Sequence, residues 1–132
     1  MVPLVIGPVG GTLGSLTVQR TYANARSVEF DALLLAGTPA VGSDAYGARD
    51  AKGLPAAADR APTDPRVSLL VSEAFRHGKA LGAWAGGEAV LDASGVPVDA
   101  PGVVVTTSGT AALEQLARLL GEHRAWERFA AA

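Results

Sequence analysis

Residues Ala80 to Leu91, ALGAWAGGEAVL, constrain the fold of this chain more than any other stretch. A short apolar run meets a turn of small residues, and an amphipathic segment follows at once. That is the layout of an elbow, in which a tight strand-to-helix turn lifts one side chain clear of the sheet. The sequence places Trp84 at its tip, with Gly86 in the turn and Glu88 just past it. An indole carries no ionisable nucleophile, and the chain contains no cysteine, so thiolate chemistry cannot run at this position.

The rest of the chain repeats the alternation of strand and helix. Val2 to Ile6 is a short β-branched run closed by GPVGG and reads as a buried strand. Leu16 to Tyr22 alternates apolar and polar residues, as a half-exposed strand or hairpin arm does. Asp31 to Ala36, entered from Ser27–Phe30 and stopped by Gly37, reads as a central parallel strand. Asp64 followed by Pro65 starts a helix whose Val67, Leu70, Val71, Ala74 and Phe75 recur at helical spacing up to His77-Gly78. Gly86 to Ala93 forms a short helix and Val103 to Val105 a further strand. Ser108 caps a last helix with Leu113, Leu116, Ala117 and Leu120 on one face. Strands alternating with amphipathic helices imply crossovers and a parallel sheet covered on both faces, so the expected fold is a three-layer α/β domain of the flavodoxin-like kind. Between its elements, Gly37 to Pro62 is glycine, alanine, proline and aspartate for about 26 residues, longer than ordinary connections of up to ~12–15, and is expected to be a mobile surface loop.

Size and charge narrow the function classes. With 132 residues the chain is expected to be a single domain that builds a core without disulfides or metal. A net charge of −2 offers no electrostatic footprint for nucleic acid or acidic membranes. No window approaches the ~18 consecutive apolar residues of a membrane helix, and a cytoplasmic protein is the simplest reading.

Three further segments carry a resemblance. They are SVEFDAL from Ser27 to Leu33, EAFRHGKA from Glu73 to Ala80 (preceded by Asp64-Pro65-Arg66), and EHRAWERF from Glu122 to Phe129. In that order they resemble the C-terminal domain of large-subunit haem catalases, over nearly the whole chain. The elbow itself resembles that of the class I glutamine amidotransferase-like superfamily, which includes the PfpI-type proteases and carries cysteine at the tip in an A-x-C-x-G pattern. The catalase resemblance implies a flavodoxin-like domain appended to a haem core, without haem ligands or activity of its own. Domains of that family begin with a strand and helix that this chain is expected to lack, beside Asp31–Ala36. A fragment, a misplaced start, a rearranged sheet and self-association through the exposed edge all remain open.

The candidate residues follow. Trp84, Gly86 and Glu88 mark a vestigial elbow, with Trp84 expected to fill the old pocket as packing. Glu88 is explained by a helix dipole, which favours a carboxylate in the first turn. The superfamily's catalytic acid belongs to the missing unit, so no catalytic residue is assigned. His77 and His123 lack partners at ligand spacing and are expected to be structural; no metal is expected. GPVGG reads as a turn rather than a phosphate cradle, since it lacks the Gly-x-Gly-x-x-Gly order and the Walker lysine. No Gly-x-Ser-x-Gly supports a serine hydrolase. Neither Tyr22 nor Tyr46 stands in the Arg-x-x-x-Tyr context of a catalase's haem ligand, and no cofactor is expected. His123, Arg124, Trp126, Arg128 and Phe129 form the candidate interface, because Trp and Arg anchor many interfaces; docking on the chain's own domain is the competing reading. The expected function is a non-catalytic accessory domain with a structural, assembly or chaperone-like role in oxidative-stress defence. Its expected partners are a haem catalase core or further copies of itself. The alternatives are an amidotransferase-like enzyme with displaced chemistry and a small-molecule binding module.

Overall fold

The computed structural model describes residues 2–36 and 63–130. The predicted loop from Gly37 to Pro62, with Tyr46, lies outside the described residues. The chain opens with four short strands: β1 (Ile6–Gly7), β2 (Gly11–Leu13), β3 (Leu16–Val18) and β4 (Arg20–Thr21). β2 and β3 form an antiparallel hairpin, and β1 pairs in parallel with β4 in a separate two-stranded ladder. The expected buried strand at Val2–Ile6 is therefore corrected. Val2 is 85% exposed, only Ile6 is in a strand, and Pro3 has no N–H to donate to a ladder. The Val5 amide instead donates to the Gln19 side-chain Oε1 at 2.6 Å.

A single 3-10 turn (Ser27–Glu29) leads into the main sheet, which consists of β5 (Ala32–Ala36), β6 (Ala80–Trp84) and β7 (Val103–Thr106). All three are parallel, in the order β5-β6-β7. The central strand is thus β6, and β5, expected at the centre, ends the sheet among the described residues. An apolar run shows that a strand is buried on its faces but not which neighbours flank it. The two differ in burial: every residue of β6 but Trp84 is buried, whereas in β5 only Leu33 is.

Two helices cover one face, α1 (Pro65–Arg76) and α2 (Glu88–Ala93), and α3 (Gly109–Leu120) covers the other. On the first face Leu33, Leu81 and Ala83 meet Leu70, Val71, Ala74, Leu91 and Val96. On the second, Leu116 of α3 lies over Gly82 beside Leu34. A short α4 (Glu127–Ala130) ends the described chain. Helices on both faces of a parallel sheet make this an α/β fold compatible with a flavodoxin-like arrangement. No helix among the described residues is long and apolar enough to cross a membrane.

Both ends of α1 and the start of α3 are set by local contacts. Asp64 accepts from the Arg66 amide at 2.9 Å, with Pro65 in the first turn, where an amide would have no helical partner. At the other end the Gly78 amide donates to Phe75 O and the Lys79 amide to Ala74 O, both at 3.0 Å. That double closure needs a left-handed residue, and Gly78 supplies it with φ +72°. Ser108 caps α3 through its hydroxyl, which accepts from the Ala111 amide.

Candidate functional site

β6 delivers two features, one at each end. At its C-terminal end is the elbow. Trp84 pairs with Ala36 on one side and Thr106 on the other, so it is still within the strand. The left-handed residue is Ala85, φ 52°, followed by Gly86 at φ 96°. The backbone turn therefore falls one residue beyond the position read from the sequence, and an exposed methyl stands at its tip. The half-buried Trp84 indole packs toward the start of α3. Its ring atoms lie 3.1–3.3 Å from where a Cβ on Gly109 would be. Glu88 folds back so that its Oε2 accepts from the Gly86 amide at 3.1 Å. The carboxylate thus satisfies a turn donor as well as sitting in the first turn of α2. Neither Ala85, Trp84 nor Glu88 supplies a nucleophile paired with a base.

At the N-terminal end of β6, the three segments that carry the family resemblance come together. Lys79, immediately before the strand, is buried, and its Nζ donates to the carbonyl of Ser27. Ser27 is buried too, and its hydroxyl donates to Glu73 Oε2 at 3.2 Å. Burial pushes the Lys79 ammonium below the ordinary lysine range, Arg124 adds repulsion, and Asp31 acts against both. From the third segment, the Ala125 amide donates to Gly78 O at 2.6 Å. Arg128 then closes the clasp. Its Nη1 donates to Phe75 O and Lys79 O, both at 2.9 Å, and its Nε donates to Pro101 O at 2.7 Å. The guanidinium also lies 4.3 Å from the Phe75 ring centre. Its Nη2 is buried without a hydrogen-bond partner among the described residues, and burial draws the group below its ordinary pKa. The planar guanidinium spreads its donors in fixed directions, so one side chain meets carbonyls on separate segments.

The predicted interface residues therefore divide. Arg128 docks on its own domain. Arg124 is turned toward its neighbour, donating from Nη1 to His123 O at 2.9 Å, and His123 sits in the turn after α3 with φ 68°. Trp126 is 60% exposed and pairs with exposed Phe129, ring centres 6.0 Å apart. His77 caps the C-terminus of α1, its amide bonded to Glu73 O. No group of three or more potential metal ligands occurs among the described residues. The roles of Lys79, Ser27 and Arg128 went unread in the sequence. Each lies inside a quoted segment, but the contacts joining them span 46 to 53 residues.

Compared with curated proteins, the chain has no match. A family model for the C-terminal domain found in long catalases matches residues 1–130. The segments that suggested this family are the ones that interlock around the start of β6, and with nearly the full length matched, the chain belongs to the family of C-terminal domains found in long catalases.

Proposed function

We propose that this chain is a non-catalytic accessory domain that supports a haem catalase core in peroxide defence through structure and assembly. The observation that carries the reading is the elbow. The place where a related enzyme would present a nucleophile holds the Ala85 methyl, backed by an indole packed against α3. Thiolate chemistry has no atom to start from there. In this reading Trp126 and Phe129 are the contact to the haem core, since an exposed aromatic pair is the kind of anchor that interfaces use.

The purified chain is expected to show no Soret band and to consume no peroxide. Joined to a haem core, it is expected to slow thermal inactivation of peroxide turnover, and Trp126→Ala with Phe129→Ala is expected to remove that protection. Peroxide consumption by the chain alone would sink the non-catalytic reading. A core that inactivates equally fast with and without the domain would sink the supporting role.

A further inference from the structure

Lys79 is only 4% exposed and stands where several segments cross. Its amide donates to Ala74 O in the last turn of α1, and its carbonyl accepts from Arg128 Nη1. Its ammonium reaches Ser27 O at the entry to β5. An ammonium has three N–H donors, and among the described residues Nζ meets that one acceptor, a neutral carbonyl. The charges around it do little to hold its own. Asp31, just before β5, attracts it but is exposed, and Glu73 of α1 is engaged by the Ser27 hydroxyl. Arg124, from the segment after α3, repels it, and Arg128 brings a second guanidinium to the Lys79 carbonyl. Arg76 and His77, at the end of α1, are exposed. Burial and like charge both favour the neutral amine, which keeps its bond to Ser27 because an amine still donates.

We propose that Lys79 is a proton switch on the clasp: docking of residues 121–130 selects its neutral amine, so alkaline conditions hold that segment closed and proton uptake loosens it. The segment itself creates the environment that disfavours the charge. It brings Arg124 and Arg128 to the start of β6, and its Ala125 amide bonds Gly78 O, over a run of Gly78, Lys79 and Ala80 that is buried throughout. With the segment released, the ammonium regains water and loses the repulsion of Arg124. The docked chain therefore gives up this proton below the ordinary lysine value of 10.5, and the released chain near it. A group whose pKa is lowered by docking strengthens docking as pH rises between the two values, and leaves it unchanged outside them. The coupling is reciprocal, so whatever loosens the segment must return the proton to Lys79. Phe129 moves with the segment, since its ring lies against Gly78 and pairs with Trp126. The proton on Lys79 thus also governs how firmly the exposed aromatic pair is held.

Lys52 and Lys79 are the only lysines in the sequence, so carbon-13 labelling of lysine in the full chain gives two side-chain signals, and Lys79→Met assigns them by removing one. In a pH titration followed by nuclear magnetic resonance, Lys79 is expected to reach its midpoint at lower pH in the folded chain than in urea. Arg124→Ala is expected to raise the folded-state midpoint, and Arg128→Met, which frees the segment, to raise it toward the value in urea. The stability of the unaltered chain relative to Lys79→Met should rise with pH over the same interval. The unfolding constant should fall about tenfold for each pH unit that separates the two midpoints. A folded-state midpoint equal to the one in urea overturns the proposal, as does a margin over Lys79→Met that stays flat. So does a lowered midpoint that neither Arg124→Ala nor Arg128→Met moves, since the lysine would then be buried but not linked to the segment. All of this is read on the chain alone, and no outcome bears on the accessory role proposed above, which is read from turnover and inactivation of the haem core.

Discussion

Ala85 holds a left-handed backbone at the elbow, φ 52°, which costs an L-residue ~1–2 kcal/mol relative to glycine. Ala85→Gly is therefore expected to stabilise the chain or leave it unchanged, by up to ~1 kcal/mol in urea unfolding, although glycine elsewhere in a strand or helix weakens it. A net loss above that size would show that the methyl makes a contact worth keeping. Gly109 tests Trp84 from the other side. A methyl there would sit 3.1–3.3 Å from the indole, tighter than normal packing. Gly109→Ala is expected to cost ~1–2 kcal/mol in the unaltered chain and nothing, or a small gain, once Trp84→Ala has cleared the space. A coupling near zero in that double-mutant cycle would mean the indole does not rest on the start of α3.

Among the elements, α1 is held at both ends by contacts that respond to different conditions. Arg66 donates to Asp64 from its side chain and its amide, and these bonds lower the Asp64 carboxyl from 3.8 to about 2. A folded-state pKa below the unfolded one gives stability that is complete above the unfolded value and is lost as pH falls through the folded one. The unaltered chain should thus exceed Asp64→Asn in stability by a constant margin above pH ~5, and the margin should shrink between about 3.8 and 2. A margin that does not change over this range would remove the carboxylate from the cap. At the far end of α1, Arg128 ties α4 to Phe75, Lys79 and Pro101. Arg128→Met retains much of the stem and the apolar contact with Phe75 but leaves three carbonyls without their charged donor, with an expected loss of ~2–4 kcal/mol by chemical denaturation. A loss below ~0.5 kcal/mol would make the clasp an ornament of the surface.

For the whole molecule, the clasp joins the entry to β5, the end of α1, the start of β6 and the C-terminal segment into one unit. Stopping the chain after Leu120 would expose buried Ala80, and would take from Gly78, Phe75 and Lys79 the donors their carbonyls now meet. Such a chain is expected to unfold in a broadened, less cooperative transition, with a lower denaturant slope than the intact chain. An unchanged slope and midpoint would show that residues 121–130 fold independently of the sheet. The two ends of β6 thus differ: the start is gripped by the clasp, and the finish carries a turn with no nucleophile.

Periodicity alone sufficed for α1, β6, α2, β7 and α3, because each is an amphipathic or doubly buried segment whose pattern is local. The caps at Asp64, Gly78 and Ser108 were equally legible, since the residues that close a helix lie within a few positions of its end. The sequence also excluded a thiolate at the elbow, as no cysteine exists to supply one. Tertiary structure alone decided that, among the described residues, β5 ends the sheet and β6 is its centre, since an apolar run records burial and not neighbours. It moved the tip of the elbow from Trp84 to Ala85, because Trp84 is held in the ladder by strands far away in sequence. It also turned Arg128 inward while leaving Trp126 outside, a choice between two plausible faces that depends on carbonyls some fifty positions upstream. Local patterns fix elements because their hydrogen bonds close within a few residues; order in the sheet and the direction of a side chain are set by contacts that no local pattern records.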